Sequence, residues 1–127
     1  MPRKSLARKK IERLARIHSP GFPVGTIAYY GPNDQFASKA VVGILEELDR
    51  ILALERWFAT AEDVRLDEWV CEQIAAFLDR FQVSRVSMVD QIIGCPHEEG
   101  IDYPTGEACP ECVFWKGRDR WSGQSRP

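Results

Sequence analysis

The sequence is short of most features that assign a protein to a class at sight. No apolar run approaches the ~20 residues that a membrane-crossing helix needs. The opening stretch MPRKSLARKKIERLARIHSP has no apolar core of the kind a secretory signal carries. There is no internal repeat and no glycine-rich stretch with phosphate-loop spacing, so the turns HSPGFPVG and YYGPND read as loop and core residues. Histidine occurs only twice and cysteine only four times, too few for a disulfide framework to hold the fold. At 127 residues the chain does not need one. A single domain of this length, residues 1–127, buries about two thirds of its unfolded surface. A cytoplasmic, reducing location is the expectation, and there clustered cysteines point to metal.

The net charge of −2 conceals an asymmetry. Residues 1–16 carry a balance of +6, residues 17–115 one of −11, and the last twelve residues one of +3. Basic ends on an acidic body fit two arrangements. Either the ends contact a polyanion, or they pair with the body, in the same subunit or in a second copy of a homo-oligomer.

Hydrophobic spacing predicts a basic amphipathic helix within residues 1–18, with Leu6, Ile11, Leu14 and Ile17 on one side. His18 stands at its end as a capping residue. GTIAYYG, residues 25–31, reads as a strand followed by a tight turn. A second strand is expected at 38–45, then a short helix or irregular segment around 47–58, with one long helix as the alternative. LDEWVCEQIAAFLDRF, residues 66–81, has the apolar face of a helix, and Cys71 beside that face is expected to be core. Residues 84–94 read as a last strand. The fold class is therefore α/β (α+β), a small, mostly antiparallel sheet with flanking helices and a C-terminal zinc-binding loop, 94–121.

That loop holds the chemistry. GCPHEEGIDYPTGEACPEC puts Cys95 and His97 two residues apart at the end of the last strand, where the pleat would turn both side chains one way. Cys109 and Cys112 have the C-P-x-C spacing of a zinc knuckle. Gly100, Pro104 and Gly106 supply the turns that fold the second pair back on the first. Three thiolates and an imidazole suit tetrahedral Zn2+, and a full set of four protein ligands favours a structural ion. Glu98 and Glu99 read as a solvated loop. The motif also resembles the H-x-E and P-C-x-x-C of zinc deaminases, which would make Glu99 the general base of a zinc-dependent hydrolase or deaminase-like enzyme. Only nine residues separate Glu99 from Cys109, Ala108 stands where that family has proline, and Cys95 is an extra ligand.

Two basic segments are candidates for contact with nucleic acid. The tail FWKGRDRW interleaves Trp115 and Trp121 with Lys116, Arg118 and Arg120, as single-strand binders do. The first helix adds Arg8, Lys9 and Lys10. In the plainer reading Phe114 and Trp115 pack on the zinc loop and the arginines pair with acidic neighbours. The acidic loop itself would repel phosphate.

GCPHEEGIDYP, then CPxC, then FWxGRDRW, together with AYYGP and the following ASK, resembles a group of small bacterial proteins. The resemblance spans most of residues 18–121 and implies a bacterial, cytoplasmic setting, but no activity. The sequence thus points to a zinc-binding interaction module with an unknown protein or nucleic-acid partner and no membrane contact.

Overall fold

The computed structural model describes residues 6–17, 21–98, 100–107 and 109–115. Its elements run α1 (Leu6–Ala15), β1 (Val24–Tyr30), β2 (Lys39–Glu47), β3 (Arg50–Phe58), α2 (Glu68–Arg80), β4 (Arg85–Ile92) and a short 3-10 turn, Val113–Trp115. The four strands form one sheet in the order β3-β2-β1-β4. β1 and β3 both run antiparallel to β2, while β4 runs parallel to β1. The parallel pairing follows from the connection. After β3 the chain crosses over through α2 and re-enters the sheet on the far side of β1.

Alternation along the strands makes the sheet two-faced. Ile27 and Tyr29 of β1, Ala40, Val42 and Ile44 of β2, and Val86 of β4 share one buried cluster with Ile11 of α1 and Ile74, Phe77 and Leu78 of α2. Each fully buried aliphatic side chain contributes about 1.5–3 kcal/mol, so this face is the main source of stability. Among the described residues no helix covers the other face, where Val41, Leu54 and Arg56 lie. No described helix is long and apolar enough to cross a membrane.

α2 starts as its sequence dictates. Asp67 is the N-cap, its side chain accepting from Val70 N at 3.0 Å. Cys71 is buried at the start of this helix, as its place beside the apolar stripe implied, and burial pushes its thiol up to about 11.

Two expectations need correction. Residues 47–58 are not a helix or an irregular segment: Arg50–Phe58 is a nine-residue edge strand. Leu, Ala, Glu and Arg in this stretch are good helix formers, but pairing with β2 from Lys39↔Phe58 to Glu47↔Arg50 overrides that local preference. Ala53 and Trp57, four apart, would suit a helical stripe equally well. In the strand both pack against the core, and Trp57 meets Phe77 edge-to-face at 5.6 Å.

The second correction concerns α1. Arg8, expected on an outward basic face, is buried. Its guanidinium donates to Tyr29 Oη at 2.8 Å and lies 3.5 Å from Glu12. Lys10 pairs with Asp79 of α2, and Lys9 is exposed. Part of the N-terminal positive charge therefore anchors α1 to the domain. His18 and the tail residues Lys116, Arg118, Arg120 and Trp121 lie outside the described residues.

Candidate metal centre

β4 stops at Ile92, and backbone hydrogen bonds carry the chain a little further along the sheet. Ile93 N donates to Tyr29 O, and Gly31 N donates to Gly94 O, both at 2.9 Å. Cys95 follows immediately. The Cys95–His97 pair is therefore not set by the pleat of a strand, as the spacing suggested. It sits in a turn, where His97 N donates to Cys95 Sγ at 3.3 Å. A backbone N–H aimed at sulfur stabilises a thiolate, which a metal site requires.

Residues 98–107 then form a compact loop. Glu98 O accepts from Ile101 N at 3.0 Å and from Asp102 N at 2.8 Å, while Asp102 returns the contact by accepting from Glu98 N at 2.7 Å. Gly100 and Gly106 sit at φ of +84° and +90°, conformations that favour glycine. These were the residues from which turn chemistry was expected.

The loop brings Cys109 and Cys112 onto Cys95 and His97. All four ligand atoms lie within 4.8 Å of one another, close enough to coordinate a metal ion. His97 Nδ1 is 3.3 Å from the sulfur of Cys95 and 3.4 Å from each of Cys109 and Cys112. Its other nitrogen, Nε2, is 3.0 Å from a carboxylate oxygen of Glu111. Glu111 lies within the C-P-E-C turn itself, so one short motif supplies two sulfurs and a carboxylate that fixes the imidazole's orientation.

The thiols are unequal. Burial pushes Cys95 and Cys112 up, so without a cation these two hold their protons. At Cys109 desolvation also opposes ionisation, but the N–H groups of Glu111 and Cys112 and the neighbouring thiols outweigh it, and its value is lowered. Cys109 is thus the thiol readiest to meet an incoming ion.

Two contacts outside the cluster lock the loop to the sheet. Trp115 is buried and its Nε1 donates to Gly31 O at 2.7 Å. Gly31 is required there, since a Cβ would stand 1.8 Å from Phe36 O. The second contact is ionic. Lys39, only 2% exposed at the start of β2, donates to Pro96 O and to Glu98, both at 2.8 Å. Arg56 of β3 grips the same carboxylate through both oxygens, at 2.7 and 3.0 Å. The Arg56 and Lys39 hydrogen bonds together hold Glu98 down at about 2. Glu98 is therefore a clamp and not the solvated residue its acidic surroundings suggested.

Sequence reasoning found the four cluster residues and missed Lys39, Arg56 and Glu111. The available signal for Lys39 was a single charge opening the otherwise apolar run KAVVGIL. Glu99, the general base of the enzyme alternative, lies outside the described residues. The sequence matches no family model, no curated protein and no solved structure.

Proposed function

We propose that this chain is a zinc-binding interaction module in which one structural Zn2+ ties the C-terminal loop to the sheet. The observation that carries the reading is the equal approach of His97 Nδ1 to all three sulfurs, at 3.3–3.4 Å. With Zn–S near 2.3 Å and Zn–N near 2.0–2.1 Å, a tetrahedral shell puts nitrogen about 3.5–3.6 Å from each sulfur. The donor set thus needs to relax by only a few tenths of an ångström. Three soft thiolates and an imidazole select zinc over magnesium or calcium, which take oxygen.

Four protein donors fill the tetrahedron and leave no position for a reacting water, which supports a structural role over a hydrolytic or deaminating one. The buried cysteines, the Trp115 anchor and the Glu98 clamp all act to fix the loop. Arg8 is buried and Lys10 is paired, which turns the proposal away from nucleic acid on the α1 side and towards a protein or small-molecule partner.

Cobalt substitution tests this. Reduced protein titrated with Co2+ should bind one equivalent with the intense visible bands of a tetrahedral thiolate site. The spectrum should not change on adding azide or cyanide, and zinc should displace the cobalt. A weak octahedral spectrum would rule out the proposed shell. Bands that shift with azide would reveal an exchangeable position and favour the enzyme reading.

A further inference from the structure

Beside the metal cluster lies a groove of about 550 Å³ that the structural zinc does not use. Its walls are largely apolar: Phe36, Phe58, Pro32, Pro96 and Ile101. Its distinguishing polar group is Lys39, whose side chain is 3% exposed. Buried lysines are rare, and this one is incompletely used. An ammonium has three protons. Two go to oxygens, Pro96 O and Glu98 Oε2. Around the nitrogen stand the rings of Tyr30 and Phe58, with centroids at 5.8 and 5.6 Å. The same lysine lines a second, smaller groove of about 360 Å³ on the open sheet face. The remaining donor is thus held at the junction of two cavities.

We infer that this groove binds a neutral small molecule made of an apolar ring or chain and one carbonyl-type oxygen, with Lys39 Nζ donating to that oxygen. The inference rests on the structural-zinc reading for its charge argument. Lys39 and Arg56 are matched only in part by Glu98, which both contact. Zn2+ with three thiolates and a neutral imidazole adds −1, and Asp102 on the groove wall adds another. The surroundings therefore disfavour an anion, while the ammonium disfavours a cation. A neutral acceptor satisfies the donor without adding charge. The volume falls within the range of small-ligand sites, and a mainly apolar lining with one placed polar group is what orients such ligands.

The test uses three soluble probes that differ only in the polar group: benzamide, benzoate and benzylamine. Each is titrated into full-length, zinc-loaded, 15N-labelled protein, and zinc is assayed in the same sample. Benzamide should shift the amides of Phe36, Ser38, Thr60 and Ile101 saturably. Benzoate and benzylamine should bind about tenfold more weakly or worse, as mismatched charge does. Lys39→Met should abolish the preference for benzamide. Phe58→Ser leaves the Lys39–Glu98 pair in place and should weaken benzamide about fivefold or more through lost apolar contact. Absence of saturable shifts in protein that holds its zinc overturns the inference, as does equal or stronger binding of benzoate or of benzylamine, or retention of the benzamide preference in folded Lys39→Met. Protein that holds no zinc at all counts instead against the structural-zinc reading.

Discussion

The two halves of this molecule are held by different physics. The helix-backed side of the sheet is an apolar core: Ile11, Val42, Ile44 and Leu78 are fully buried, and almost no polar group intervenes. The C-terminal loop, 94–115, has little of this. It is fixed by one indole hydrogen bond, one clamped carboxylate and four metal-ligating side chains gathered at a point. The first region is stable because many weak contacts add. The second depends on a few strong ones, so each counts for much more. Stabilisation that is additive degrades gradually under mutation, whereas stabilisation that converges on one ion fails all at once.

The contrast can be tested region by region. The largest effect on global stability should come from the core. Leu78→Ala removes a fully buried side chain on α2 and should cost about 2–5 kcal/mol in urea denaturation, lowering both regions together. A loss confined to one helix would break the picture of a single core.

Next comes the clamp. Glu98→Gln leaves Lys39, buried at 3% side-chain exposure, without its carboxylate. Because Glu98 itself is 32% exposed, the cost is smaller than for a fully buried pair, about 2–3 kcal/mol. The effect has a defined pH dependence. Glu98 is held at about 2 in the folded protein, by Arg56 first and Lys39 second, against about 4.3 when unfolded. A lowered carboxylate contributes its full stabilisation above the unfolded value and loses it as pH falls through the folded one. The difference between wild type and Glu98→Gln should therefore be flat above pH 5 and shrink between about pH 4 and pH 2. Acid protonation of the cysteine cluster is common to both proteins and cancels in the difference. A difference independent of pH across that window would show that Glu98 acts through packing and not charge.

The smallest effect is expected at the indole. Trp115→Phe keeps an aromatic ring and removes the donor to Gly31 O, leaving a carbonyl unsatisfied in a buried position. A loss of about 1 kcal/mol follows, read as faster amide exchange in 109–115 and not in α2. Equal exchange in both regions would mean the loop and core open as one unit.

How much of this was legible beforehand follows the same divide. The periodic apolar faces of α2, β1 and β4 could be read from the sequence, because burial of one face imposes the spacing directly. The ligand set could be read because C-P-x-C and C-x-H are local patterns. β3 could not, since RILALERWF satisfies helical and strand spacing alike and only its partner strand decides. Arg8, Lys39 and Glu98 could not either. Each is a charged residue whose surroundings come from segments 21 or more positions away, Tyr29 for Arg8 and Pro96 with Glu98 for Lys39. Composition places such residues at the surface by default, and long-range contacts bring them in. The position of Cys95 and His97 in a turn, past the end of β4, is a further case: the ligands were evident and the backbone that presents them was not.

The account depends most on the ion as the tie between loop and sheet. The direct measurement is amide hydrogen exchange on reduced, zinc-loaded protein before and after a strong chelator. Exchange in 95–115 should accelerate by several orders of magnitude on zinc removal, while the amides of Tyr29, Val42, Ile74 and Leu78 keep their protection. Unchanged exchange in the loop after the metal is gone would contradict the account.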